Sequence, residues 1–256
     1  MKIIFNRIVA YGDSYTAGDE LMDHVFMNIS FEDCNRIKRE YIRDGMTIDA
    51  KSRFREKYNI SIADKELNYN HSWAAYLAKH LNVSFVNKGV LGSSIDQIYF
   101  TIYNDLLTGQ ISETDLVLVG LGTPFRIIDF RNEQVKTLLP NHLDKNDVEN
   151  NLFIDLFTDD FAMFHYFKTV QLLCNLNSKI NIRLQPMIED IGPNCLHGYK
   201  LKHTTDYIKT VWNANVNNML LPTEFLRPVM KVCGFGHPPV ESHIQLADII
   251  YNQINL

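Results

Sequence analysis

The sequence predicts an α/β protein, a three-layer α/β/α arrangement around a mostly parallel sheet of roughly five strands. Short apolar runs suited to buried strands alternate with segments whose apolar residues recur at helical spacing. The stretches between successive runs are long enough for the helical crossovers that parallel strands require. With 46% hydrophobic residues among 256, the chain can cover both faces of such a sheet. One domain spanning 1–256 is expected, carrying an insertion at about 19–70.

The first strand is read at Ile3 to Tyr11, because the apolar run ends at a Gly-Asp-Ser turn. Asn6 and Arg7 interrupt it, so "MKIIFNRIVAYGDS" reads neither as a signal peptide nor as a membrane span. Within the insertion, "NRIKREYIRDGMTIDAKSRFREKY" mixes both charges with Tyr and Phe. It reads either as a pair of solvated amphipathic helices or as a lid or docking surface. Trp73, Leu77 and Leu81 share a helical face, and Val83 to Asn87 forms the second strand. Ile95, Ile98, Ile102 and Leu106 mark the next helix, followed by a strand at Leu116 to Leu121. Asn132 to Asp160, with Pro140 and many Asn and Asp, is expected to be loop, with a helix starting at Asp159 or Asp160. That helix is expected to bury Phe161, Phe164, Phe167 and Leu172. Ile180 to Gln185 gives a further strand, Val229 to Cys233 a weaker fifth, and Val240, Ile244, Ala247 and Tyr251 a final helix.

Composition excludes several classes. A net charge of −5 offers no basic field for nucleic acid, and the basic residues from Arg36 to Lys57 are balanced by Glu40, Asp44, Asp49 and Glu56. Cys34, Cys174, Cys195 and Cys233 are scattered without a CxxC pair, which argues against a zinc ribbon or a disulfide framework and fits reduced thiols in a cytoplasm. His237 and His243 do not make an HExxH metal site, and "GVLGSS" is neither a Walker loop nor GxGxxG. The expectation is a cytoplasmic protein without cofactor or metal. A small or neutral ligand fits this composition better than a polyanion, and neither a nucleic acid nor a membrane is expected as partner.

Gly-Asp-Ser alone is ordinary turn composition. Its place at the carboxyl end of a first strand puts Ser14 on the rim where α/β sheets bind ligands. Three segments, taken in order, make the chain resemble the SGNH hydrolases, also called the GDSL esterase and lipase family. "GDSYTAG" matches the first family block, with Ser14 as nucleophile and Asp13 beside it as a substrate-binding candidate. "NKGVLGSS", Asn87 to Ser94, resembles the second, with Gly92 as an oxyanion donor. "GHPPVESHIQLADII", Gly236 to Ile250, resembles the last, with His237 as general base. A glycine at the oxyanion position leaves the amide open to a substrate carbonyl.

Two positions depart from the family pattern. Where a third block would supply Asn, the strand runs into Thr123, Pro124, Phe125 and Arg126, and Pro124 can donate nothing. Thr123 is then the candidate third donor. Arg126 reads either as a substrate-facing cation or as a surface ion-pair partner. Where the family carries an Asp three residues before the histidine, this chain has Gly234; Glu241 and Asp248 lie further along without matching that place.

The resemblance implies a flavodoxin-like sheet and a serine hydrolase that cleaves a short-chain or O-acetyl ester through an acyl-enzyme on Ser14. Two alternatives stay open: a catalytically impaired binding or structural protein of the same fold, and an acyltransferase using the same serine. "GDSYTAGDEL" within an Asn-, Ile- and Lys-rich chain also resembles phage-encoded members of the family.

Overall fold

The computed structural model describes residues 5–19, 21–42, 48–60, 68–129, 136–138, 157–187, 199–220 and 237–254. Its centre is a parallel sheet of four strands, β1 (Arg7–Tyr11), β2 (Ser84–Asn87), β3 (Asp115–Leu121) and β6 (Asn181–Pro186), ordered β2-β1-β3-β6. A separate antiparallel pair, β4 (Ile127–Asp129) and β5 (Lys136–Leu138), follows β3. The sheet is one strand smaller than expected among the described residues, and Val229 to Cys233 lies outside them. Beyond β6, Met219 makes an isolated parallel bridge to Leu184, and the Leu220 amide donates to the Leu184 carbonyl at 2.9 Å.

Alternation along the strands sorts the core into two layers. Val9, Tyr11, Val117, Val119, Leu121, Ile182 and Leu184 face a cluster shared with α6 (Ile95–Leu107), α7 (Asp159–Asn175) and α8 (Thr205–Asn215). Ile8, Ala10, Leu116 and Leu118 face the other way, onto α5 (Trp73–Leu81) and α9 (Val240–Ile254). Every residue of β3 is buried, as a continuous apolar run in the middle of a two-sided sheet should be. Arg7 ties the start of β1 to that of β3, its Nη2 donating to Asp115 Oδ2 at 2.7 Å.

Helix α7 starts at Asp159 behind the N-cap Thr158, whose hydroxyl accepts the Phe161 amide at 3.2 Å. Its buried face is not the expected one. Phe161 and Phe164 are each 45% exposed and Leu172 is 36% exposed, and of that set only Phe167 is buried. Met163, Tyr166, Phe167, Val170 and Leu173 form the buried stripe instead. Their spacings of three, one, three and three follow the helical repeat more closely than the run of large aromatics does.

The stretch expected to be an insertion contributes α2 (Asp23–Phe26), α3 (Phe31–Ile42) and α4 (Ile48–Lys57), packed around Cys34, Phe54 and Ile60. Its charges are not all solvated. Lys38 Nζ meets Asp23 Oδ2 at 2.8 Å with both side chains buried, and Arg55 pairs with Asp19. Cys34 and Cys174 are buried thiols. No helix among the described residues is long and apolar enough to cross a membrane.

Candidate active site

The carboxyl ends of β1, β2 and β3 bring three loops together. After β1, Asp13 caps the short helix α1 (Ser14–Ala17), its Oδ1 accepting the Tyr15 amide at 3.1 Å, and Gly18 closes the helix in the left-handed conformation. Ser14 is therefore held at the first helical position, directly over the strand end.

The loop after β2 is hydrogen-bonded alongside β1. The Lys88 amide donates to the Ala10 carbonyl at 2.7 Å and the Val90 amide to Gly12 at 2.9 Å. Asn87 secures the same loop, its Nδ2 donating to the Thr16 carbonyl and its Oδ1 accepting the Gly89 amide, both at 2.9 Å. Gly89 is demanded by close approach, since a Cβ there would sit 2.7 Å from the Ala17 nitrogen. Gly92 has φ +76°, and a Cβ there would meet nothing within 4 Å, so its backbone faces open space. Among the described residues neither the Ser14 nor the Gly92 amide donates a hydrogen bond.

After β3, Pro124 is buried, and the Thr123 hydroxyl accepts the Phe125 amide at a long 3.4 Å. Arg126 turns back so that Nη1 donates to Asp13 Oδ2 at 2.8 Å. Asp13 is 1% exposed, with both carboxylate oxygens engaged. Asp13 and Arg126 thus hold each other and brace the loop that carries Ser14. Arg126 forms an ion pair, but beneath the site and not on the surface. Tyr166 of α7 fixes the loop after β3, its hydroxyl donating to the Gly122 carbonyl at 3.0 Å.

His237 enters from the loop before α9. Its Nε2 lies 2.7 Å from Ser14 Oγ, across a sequence separation of 223 residues. With Nε2 unprotonated, the imidazole accepts from the hydroxyl, the arrangement from which a general base acts. The Tyr15 ring lies 5.2 Å from the imidazole, and Asp19 Oδ2 lies 3.9 Å from the same Nε2. Behind it His243 is buried, its Nδ1 accepting the Trp73 amide at the start of α5 at 3.0 Å. Burial, then repulsion from His237, pushes the His243 imidazole down to about 3, so it stays neutral.

Of the downstream acids, Glu241 is exposed on the first turn of α9. Asp248 pairs with His80 at 2.7 Å, both partly exposed. Position 234 lies outside the described residues. Asp19 and Arg55 are the neighbours that the sequence did not single out. The signal available for Asp19 was its place just after Gly18: a left-handed helix end folds the next residue back, and the Asp19 amide donates to the Ser14 carbonyl at 2.9 Å.

No protein-family model and no curated protein matches the chain. Among solved structures, it is similar to a carbohydrate esterase whose active site is described as having divergent catalytic and non-catalytic binding functions. That match has a TM-score of 0.50 at 13% identity over 98% of this chain and 68% of the other. An acetylxylan esterase from Geobacillus stearothermophilus aligns with a TM-score of 0.47 at 14% identity, over 100% of this chain and 97% of the other. A member of the lipolytic protein G-D-S-L family from Veillonella parvula DSM 2008 aligns with a TM-score of 0.44 at 11% identity, over 96% and 94%. The likeness is one of fold: the chain shares with that carbohydrate esterase an α/β/α fold built on a parallel sheet.

Proposed function

We propose that the protein is a serine hydrolase that cleaves a short-chain or O-acetyl ester of a carbohydrate or small metabolite. The observation that carries this reading is the 2.7 Å contact between His237 Nε2 and Ser14 Oγ at the carboxyl edge of the sheet.

In this reading His237 Nε2 takes the Ser14 proton as Oγ attacks the acyl carbon. The amides of Ser14 and Gly92, both without acceptors among the described residues, receive the negative charge that forms on the carbonyl oxygen. Thr123 is the third donor; its hydroxyl accepts one weak bond and keeps its own proton to give. The proton then passes from His237 to the departing alkoxide, leaving an acyl group on Ser14. A water molecule gives a proton to His237 and its hydroxyl to the acyl carbon, and collapse releases the carboxylic acid and restores Ser14. Asp13 and Arg126 act beneath this chemistry by fixing the loop, in place of binding substrate directly.

Pro124 favours a second reading, a protein that binds an acylated ligand in the same loops without turning it over, because the position has no donor to give. Release of p-nitrophenol from p-nitrophenyl acetate, together with labelling by a fluorophosphonate probe, separates the two. The hydrolase reading expects both signals in wild type and neither in Ser14→Ala; equal behaviour of the two proteins rejects it.

A further inference from the structure

We propose that Asp19 is a positioning residue for His237, and that Arg55, supplied by the inserted helix α4, sets the charge Asp19 presents to the imidazole. The proposal rests on the reading of His237 as the base.

The geometry begins with Gly18, whose left-handed conformation turns the chain so that Asp19 comes back beside Ser14. The Asp19 side chain is 3% exposed and the His237 side chain 12% exposed, so solvent screens little between them. Asp19 Oδ2 is 3.9 Å from Nε2, the nitrogen that also touches Ser14 Oγ. When Nε2 takes the Ser14 proton, the imidazole becomes positive with this nitrogen 3.9 Å from the carboxylate, and the pair attracts. A bare carboxylate so near Ser14 would also repel the negative charge forming on the substrate. Arg55, paired with the other oxygen, Oδ1, offsets that repulsion. The two residues therefore act together, one favouring the charged imidazole and the other limiting the field that reaches the substrate. The insertion thereby contributes a side chain to the site.

Among the described residues, the other groups that face His237 carry different charges or none toward it. The Tyr15 ring packs against it from α1, and His243 of α9 is neutral. Asp13 and Arg126 neutralise each other below Ser14, and Glu241 is exposed.

The test is the pH profile of kcat/KM with p-nitrophenyl acetate for wild type, Asp19→Asn, Arg55→Met, Arg55→Lys and His237→Ala. In Asp19→Asn the acidic limb should move down by about one pH unit, with a loss in rate on the order of tenfold to a hundredfold. Arg55→Met should move the limb up, and Arg55→Lys should restore the wild-type profile. A merely structural role lowers rate without opposite shifts; unmoved limbs, or shifts in one direction, overturn the proposal. Should Asp19→Asn fail to fold, the two Arg55 variants still decide. If His237→Ala keeps the wild-type rate, the base reading itself falls. If it loses activity while the Asp19 and Arg55 limbs stay fixed, only the present inference does.

Discussion

His243 makes the stability of the protein depend on pH in a calculable way. The imidazole is fully buried, accepts the Trp73 amide, and is pushed from its ordinary 6.5 to about 3, first by burial and then by His237. In the unfolded chain the same group takes up a proton near 6.5. Between those values the unfolded state binds more protons than the folded one, so stability rises with pH there. The contribution is complete above 6.5 and is lost progressively as pH falls toward 3. At about pH 5 the loss is about 2 kcal/mol, and near pH 3 it approaches about 4 to 5 kcal/mol. His243→Asn keeps an acceptor near the place of Nδ1 but cannot titrate. Urea unfolding of both proteins from pH 8 to 4.5 gives the comparison. The variant starts less stable because it leaves a gap, and its deficit should shrink by about 2 kcal/mol by pH 5. Parallel stability curves for the two proteins would refute the neutral buried imidazole.

Three further outcomes are expected. Arg126→Met leaves Asp13 buried without its cation, so thermal or urea unfolding should show a loss of about 3 to 5 kcal/mol together with a fall in kcat. Gly89→Ala drives a Cβ to 2.7 Å from the Ala17 backbone nitrogen, which can yield only by moving α1; a loss of about 1 to 3 kcal/mol and a displaced Ser14 are expected, read by unfolding and by fluorophosphonate labelling. Burial pushes the Asp115 carboxyl up, but hydrogen bonds from Arg7 and the Ser112 backbone outweigh it and hold it below its ordinary 3.8. That stabilisation is present above 3.8 and disappears as pH falls through the folded value, so the deficit of Arg7→Gln should be largest at neutral pH and shrink in acid.

Strands were the easiest feature to read from sequence, because β3 after Asp115 is an unbroken run without polar side chains, Leu116 to Leu121, suited to the middle of a sheet covered on both sides. The facing of α7 was harder. Phe161 and Phe164 are large enough to suggest a core, yet both remain partly exposed while Met163 and Tyr166 go inside. Helical phase is set by neighbours the chain meets only after folding, and aromatic size does not fix it. Ser14 stood out because it begins a helix, and Gly92 and His237 because each lies shortly before one, where local turn chemistry leaves a mark. Asp19 carried only its place just after Gly18, and Arg55 carried no such mark. Arg55 is one of several cations in a mixed-charge helix, and its choice of Asp19 is a tertiary event 36 residues away. The same holds for Arg126, whose turn inward onto Asp13 spans 113 residues.

The account stands most directly on a covalent bond. The protein is mixed with p-nitrophenyl acetate, quenched in acid before turnover is complete, digested and weighed by mass spectrometry. The peptide containing Ser14 should gain the mass of one acetyl group, the adduct should be absent in Ser14→Ala, and in His237→Ala it should form only at the background rate. An acetyl group accumulating elsewhere, or p-nitrophenol release undiminished in Ser14→Ala, would contradict it.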